Sequence, residues 1–322
     1  MANMGMILKA VSGLMFAAGI LCACAALLAH GGRFSARLDV LTHFAPFWLA
    51  GAALVLAYAL WPCPPTLRAS MAGLGLIGAL ASVALIAPEI LRTPEPEAPA
   101  TTPNQIKIIQ FNTWGRNQDL IGTVRWIENQ HADIIVMEEC DGPIRELLMA
   151  GGHYHISRGM LGVAIFSRAP PSHKPFFLGP PWEDWPGIAR ATFTAPGGDF
   201  SVVGLHLTWP TQSWQKTQRR RVAEMLGRYD KNRLVVIGDF NLTPWSFALL
   251  HQDQDWGLRR LDKAMFSWPA RPFWRGRIAS PVPLLPIDHV YVGADWQMIS
   301  INRGPRLGSD HFPVVVTLAL KP

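Results

Sequence analysis

Residues 233–241 read RLVVIGDFN. The apolar run 234–237 is short and rich in branched residues, and a Gly-Asp pair closes it. That pattern predicts a strand over 233–239 rather than a helix. Asp239 and Asn241 then stand where the strand stops. A Gly-Asp after a strand is most often only a turn, so the stretch gains meaning if the arrangement recurs.

It recurs along the chain. IKIIQF at 106–111 runs into Asn112, and DIIVM at 133–137 into Glu138-Glu139. SVVGLHL at 201–207 carries His206 near its end. DHVYV at 288–292 opens with Asp288-His289, and Asp310-His311 precede FPVVVTLAL at 312–320. VAIFS at 163–167 reads as a further strand, and 118–131, 141–150 and 213–229 read as helices. Several strands follow one another without a helix between them. The expected fold is therefore α/β, with two packed mixed sheets flanked by helices, rather than one alternating doubly wound sheet.

Acids, amides and histidines at the mouths of several strands are how a rigid scaffold brings reactive groups into one cleft. The donors are carboxylate and amide oxygens, which suit a hard cation such as Mg²⁺ or Mn²⁺. Two Asp–His neighbourhoods offer an acid or base together with the carboxylate that orients it. Metal, histidine and a positioned acid are what phosphate-ester cleavage needs.

The rest of the chain is a different material. Of the 322 residues 49% are hydrophobic and only 16% charged, with mean hydropathy +0.16. That excludes a disordered, charge-rich chain. The first hundred residues hold nine charged side chains. Stretches 10–32, 40–67 and 69–88 carry no charge, each about the length of the ~20 apolar residues that cross a bilayer as a helix. Membrane spans are expected near 8–29, 44–62 and 70–91, so residues 1–92 read as an anchor in the lipid bilayer. Gly73, Gly75 and Gly78 suit close helix packing. Residues 93–104 are rich in proline and read as a semi-extended linker, and 105–322 as the catalytic domain. Lys and Arg are nearly balanced across the spans, but the stretch after the last span is acidic, which leans the catalytic domain outside (periplasmic or extracellular). Four cysteines give no disulfide or zinc pattern.

The series Asn112, Glu139, His206, Gly238-Asp239-Phe240-Asn241, Asp288-His289 and Ser309-Asp310-His311-Phe312-Pro313 resembles the endonuclease/exonuclease/phosphatase superfamily, over roughly 105–320. The whole chain is similar to its membrane-anchored bacterial members. The resemblance implies a four-layer α/β sandwich. It implies Glu139 as principal metal ligand, with Asn112 close to metal and phosphate and Asp310 completing or supporting the metal site. Asp239 would orient or deprotonate the attacking water, and Asn241 would hold the scissile phosphate. His311, held by Asp288, would contact the phosphate or act as acid/base, and His206 would be a general acid. The family usually has Gln-Glu where this chain has Glu138-Glu139. Neighbours on a strand face opposite ways, so only one should reach the cleft.

The expected function is a membrane-anchored, divalent-metal-dependent phosphoesterase that hydrolyses phosphodiester bonds, nuclease-like. The alternatives are a phospholipid or sphingolipid phosphodiesterase and a catalytically inactive, membrane-tethered binding domain. Net charge of +6 and the run Gln218-Arg219-Arg220-Arg221 suit a polyanion, although such a run is more often a solvated helix face. The apolar, Pro-rich segments 175–187 and 264–287 are either cleft rims or covers for sheet edges.

Overall fold

Strand alternation builds the larger of the two units, Thr93–Leu242 with His251–Pro322. On β1 (Gln105–Asn112) Ile108 faces one way and Ile109 and Phe111 the other; on β2 (Ile134–Glu138) Ile134 and Val136 oppose Ile135 and Met137. The computed structural model describes residues 2–61, 63–140, 142–172, 185–270, 272–274, 278–279 and 281–321. The further strands are β3 (His155–Arg158), β4 (Ala164–Ser167), β5 (Gly187–Phe193), β6 (Phe200–His206), β7 (Leu234–Asp239), β8 (Arg259–Arg260), β9 (Pro272–Trp274), β10 (Ile278–Ala279), β11 (Asp288–Val292), β12 (Trp296–Arg303) and β13 (Val314–Leu320).

One sheet has the order β12-β13-β1-β2-β4-β3 and another β5-β6-β7-β11-β8; β9 and β10 form a small pair. Pairings β1–β2 and β6–β7 are parallel and the others in the two large sheets antiparallel, so both are mixed. Ile108, Val136 and Val316 of the first sheet share a core with Val202, Ile237 and Val290 of the second. Burying each such side chain stabilises the fold by about 1.5–3 kcal/mol. The opposite face of the first sheet, through Ile109, Phe111 and Met137, packs on Ile127, Ile144 and Leu148 of helices α5 (Leu120–Asn129) and α6 (Pro143–Ala150). Two mixed sheets flanked by helices is the architecture the sequence led us to expect.

The differences lie in marginal elements. The segments 118–131, 141–150 and 213–229 shorten to α5, α6 and α7 (Gln215–Leu226). Helix α8 (Phe247–Asp255) and strands β3, β5 and β12 go beyond the elements expected from the sequence. Strand β5, GIARATF, is built largely of small residues and one arginine, a weak strand pattern. Residues 93–104, expected as a semi-extended linker, lie against strands β8, β12 and β13 of the same unit. Ala98 N donates to Met298 O at 2.7 Å, Glu97 bridges Met298, Glu95 pairs with Arg259, and Leu320 N donates to Asn104 O. The cause is that β12 is an edge strand with unpaired backbone groups, and the linker satisfies some of them. Segment 175–187 lies outside the described residues as far as 184, and parts of 264–287 do too.

The N-terminal unit comprises Met1–Arg92 with Thr243–Leu250. Its helices are α1 (Ala2–Ala29), α2 (Ala36–Asp39), α3 (Ala45–Leu60) and α4 (Pro65–Leu91). Among the described residues three helical stretches are long and apolar enough to cross a membrane: Met4–Arg33, Ala36–Leu60 and Pro65–Leu91. Gly75 and Gly78 sit where a Cβ would press on Leu56 and Ala52 of α3, whereas Gly73 has open space around it. Within this unit Asp39 accepts hydrogen bonds from Phe247 N and Ala248 N, each at 2.9 Å, so an acid of α2 caps the start of α8. Ser246 Oγ also accepts from Leu249 N, a local cap that the sequence does show.

Candidate active site

The face of each strand that builds the core between the sheets ends in polar residues. On β1 the series Ile108 continues to Gln110 and Asn112; on β2 Ile134 and Val136 lead to Glu138. On β6 Val202 and Gly204 lead to His206, and on β7 Val235 and Ile237 lead to Asp239. On β11 Val292 and Val290 lead back to Asp288, which is paired with Asp239 in register. A period of two thus turns one apolar interior into a polar cluster at one end. Gly238 lies on β7 just before Asp239: a Cβ there would overlap the Leu205 carbonyl, so only glycine admits this approach of β7 to β6.

Asp239 is at the centre and buried. Its Oδ1 accepts from Asn241 N at 2.9 Å, and its Oδ2 accepts from Asn112 Nδ2 at 3.0 Å. The Nε2 atoms of His206 and His311 each lie 3.6 Å from the same Oδ2. His311 Nδ1 is 3.0 Å from Asp288 Oδ2, while Gln110 Nε2 donates to Asp288 Oδ1 at 2.8 Å. Burial disfavours a charged His311, but Asp288 and Asp239 outweigh it and raise its pKa to about 10. Burial likewise pushes the Asp239 carboxyl up, against the pull of His311. Burial opposes the charge on Asp288 too, yet contact with His311 holds it below the usual carboxylate range.

Both members of the Glu138-Glu139 pair reach this cluster. Glu138 points inward as alternation requires, fully buried, and accepts from Gln110 Nε2 at 2.9 Å. Burial, then the neighbouring Asp288, raises its carboxyl well above the usual range. Glu139 lies beyond the strand end at φ +49°, where the left-handed turn breaks the alternation. Its Oε1 accepts from Asn112 Nδ2 at 3.3 Å and its Oε2 from Gly115 N at 3.1 Å. The premise that only one of the two faces the cleft fails for that reason.

Asp310 accepts from Trp268 Nε1 at 3.2 Å, and its buried Oδ1 has no hydrogen-bond partner among the described residues. Burial raises its carboxyl, with Glu139 near enough to add to the effect. Asn241, at φ +51°, donates through Nδ2 to Leu207 O at 2.9 Å. Its other amide hydrogen faces Asp239 Oδ2 at 3.5 Å, so both are turned to groups of the protein. Among the described residues no group of three or more His, Cys, Asp or Glu side chains converges closely enough to hold a metal by itself.

Several members of the cluster lie outside the set expected from the sequence. Gln110 bridges Glu138 and Asp288; its signal is that it lies two residues before Asn112 on the same face. Ser309 Oγ donates to Asn112 O at 2.7 Å and accepts from His311 N at 3.0 Å, which ties β1 to the His311 turn. Trp268, on Asp310, is in sequence only one more aromatic residue of an apolar loop.

The model of the Endonuclease/Exonuclease/phosphatase family matches residues 109–311. Among solved structures, an endonuclease/exonuclease/phosphatase from Beutenbergia cavernae matches at 20% identity and TM-score 0.50, covering 68% of this chain and 72% of that one. Beta toxin from Staphylococcus aureus, in a mutant form with bound magnesium ions, matches at 12% identity and TM-score 0.50, covering 68% and 100%. D. rerio TDP2 complexed with single strand DNA product matches at 17% identity and TM-score 0.50, covering 66% and 98%. No curated protein matches the sequence. The polar ends of the inner strand faces and the family match coincide over the same segments, and the chain belongs to the Endonuclease/Exonuclease/phosphatase family.

Proposed function

We propose that this protein is a membrane-anchored phosphodiesterase that uses a divalent cation, with nucleic acid as the first substrate class to consider. The observation that carries the reading is the Asp239 carboxylate lying between two imidazole Nε2 atoms at 3.6 Å each. His311, kept cationic by Asp288 and Asp239, donates from Nε2 to a non-bridging phosphate oxygen. Asp239 orients the attacking water and takes its proton, since burial has raised its affinity for one. His206, partly exposed at the edge of the cluster, donates a proton to the leaving oxygen. Asn241 holds Asp239 through its backbone N–H.

The oxygen donors present fit Mg²⁺ or Mn²⁺. Glu139 is only half-buried, Asn112 Oδ1 is nearby, and Asp310 Oδ1 is an acceptor with no hydrogen-bond partner among the described residues. Mg²⁺ commonly takes one or two carboxylates and fills its shell with water and substrate phosphate, so a three-carboxylate cage is not required. Bound there, the cation would neutralise phosphate charge and stabilise the developing oxyanion.

A nucleic-acid substrate is supported by the basic balance of the chain and by the likeness to TDP2, a structure that holds single strand DNA product. A phospholipid or sphingolipid phosphodiesterase is the second reading, favoured by the three apolar helices. Full-length protein in nanodiscs is assayed on plasmid DNA, single-stranded DNA and sphingomyelin- or phosphatidylcholine-containing vesicles, with Mg²⁺ and with chelator. The expected result is Mg²⁺-dependent strand cleavage that chelation abolishes. Turnover of lipid alone replaces the substrate class, and no turnover on any of them leaves the inactive-domain reading.

The proposed side of the membrane for the catalytic unit is the outer one. A periplasm-dependent reporter fused after Pro322 should be active, and activity of a cytoplasm-dependent reporter in its place reverses the orientation.

A further inference from the structure

The chain leaves the Asp239 cluster at Asn241-Leu242 and runs straight into Thr243–Leu250, a segment that belongs with the helices of the N-terminal unit. Thr243, Trp245, Ser246, Ala248 and Leu249 are all buried. Two residues of that unit hold the segment by its backbone. Asp39, at the end of α2, accepts from Phe247 N and Ala248 N. His43, in the 3₁₀ turn Val40–Phe44, accepts on Nδ1 from Thr243 N at 3.2 Å, and Thr243 Oγ1 lies 3.0 Å from the same nitrogen. Trp245 Nε1 donates to His43 O at 3.4 Å.

His43 is itself buried, and among the described residues its Nε2 has no hydrogen-bond partner. Leaving a buried polar atom unpaired is costly. An apolar ring would fill the same space without that cost. What the imidazole adds is the acceptor Nδ1, and Thr243 uses it.

The bond it makes falls on a particular peptide group. The C=O of that group, from Leu242, accepts from His289 Nε2 at 2.8 Å, and its N–H, from Thr243, donates to His43. Two buried histidines thus grip opposite sides of one planar unit, which sets its orientation. The residue before it is Asn241, whose left-handed backbone at φ +51° is strained and persists only where its flanks are fixed. Asn241 N in turn holds Asp239 Oδ1 at 2.9 Å. We propose that His43 and Asp39 are positioning residues for the phosphodiesterase site. By fixing Thr243 and the start of α8 they hold the Asn241 turn, and through its N–H the Asp239 carboxylate, in working geometry. The inference rests on the reaction proposed above and makes turnover depend on an intact N-terminal unit. The coupling runs along the chain itself, through the Leu242–Thr243 peptide.

The test reads amide hydrogen exchange beside rates, so that failure of the inference and failure of the reaction are told apart. Full-length protein in nanodiscs is compared with His43→Ala, His43→Asn, Asp39→Asn and Ser12→Ala. Asn at 43 keeps an acceptor near the place of Nδ1, and Ser12, bonded to Leu8 and Tyr58 in the same unit, is the control. In His43→Ala the amides of 241–249 should exchange faster. Its kcat should fall about tenfold with KM unchanged, less than the ~10² that a 1 Å misplacement can cost. His43→Asn should restore both, Asp39→Asn should lie between, and Ser12→Ala should change neither. If His43→Ala does not fold, Thr243→Val, which deletes only the hydroxyl, takes its place with a smaller fall of the same kind. Unchanged exchange over 241–249, unchanged kcat in the folded variant, no recovery in His43→Asn, or an equal loss in Ser12→Ala overturns the inference. A wild type without turnover sinks the proposed reaction instead, and exchange alone then decides whether the two residues hold the turn.

Discussion

Two buried histidines, His311 and His289, look alike until their second ring nitrogen is followed. Each aims Nδ1 at an aspartate, His311 at Asp288 over 3.0 Å and His289 at Asp262 over 2.7 Å. His289 Nε2 then meets the Leu242 carbonyl at 2.8 Å, so both of its nitrogens are engaged. His311 Nε2 faces Asp239 at 3.6 Å, too far for a hydrogen bond. A dyad closed at both ends is a structural tie, and one left open at Nε2 has a proton to offer. Asp288 and His289 are neighbours in sequence, yet they serve different dyads because successive strand residues face opposite sides.

The sharpest way to break this comparison is to remove each ring. His311→Ala should lower kcat/KM on the phosphodiester substrate by about 10²–10³-fold, the range for a lost donor to a developing anionic oxygen. His289→Ala should instead cost stability, about 3–5 kcal/mol, because it breaks a buried ion pair and leaves the Asp262 carboxylate only the longer contact with Arg260 and the Val290 N–H. Activity of the protein that still folds should fall far less, through the loosened support of Leu242 next to Asn241. Thermal midpoints and initial rates on both variants check this. Equal rate losses at equal stability would erase the distinction.

The inner strand faces were legible because a period of two carries from Val or Ile to the polar residue at the strand end. Asn112, His206, Asp239 and Asp288 all follow that rule and do gather in one cluster. Glu139 does not follow it. Its place depends on a left-handed turn at a non-glycine residue, which no residue pattern announces. Gln110 and Ser309 act across long separations, Gln110 on Asp288 and Ser309 on Asn112. Such ties arise only when the two sheets are packed. Helix α8 is half-legible for a similar reason: Ser246 caps it locally, while its other cap, Asp39, is more than two hundred residues away.

A smaller effect sharpens the same comparison, the pH dependence of the closed dyad. The His289 ring faces two acceptors, a carboxylate and a carbonyl, so both nitrogens must donate and the ring is cationic. Burial opposes that charge, but Asp262 outweighs it and raises the His289 pKa. Burial opposes the Asp262 charge as well; His289, then Arg260, reverses this and holds its carboxyl far below the usual range. A raised histidine contributes stability that is complete below the unfolded value of about 6.5 and is lost as pH rises through the folded one. A depressed aspartate contributes above about 3.9 and loses its share only as pH falls toward its folded value. The dyad therefore stabilises fully between these limits and weakens on the alkaline side. Thermal midpoints of the wild type and His289→Gln, taken from pH 6 upward in the same micelles, should draw together as pH rises. His311 remains in both proteins, so its own loss of charge near pH 10 largely cancels in the difference. A gap that stays constant with pH would mean a neutral ring held by Leu242 alone, and the two dyads would then differ in charge as well as in closure.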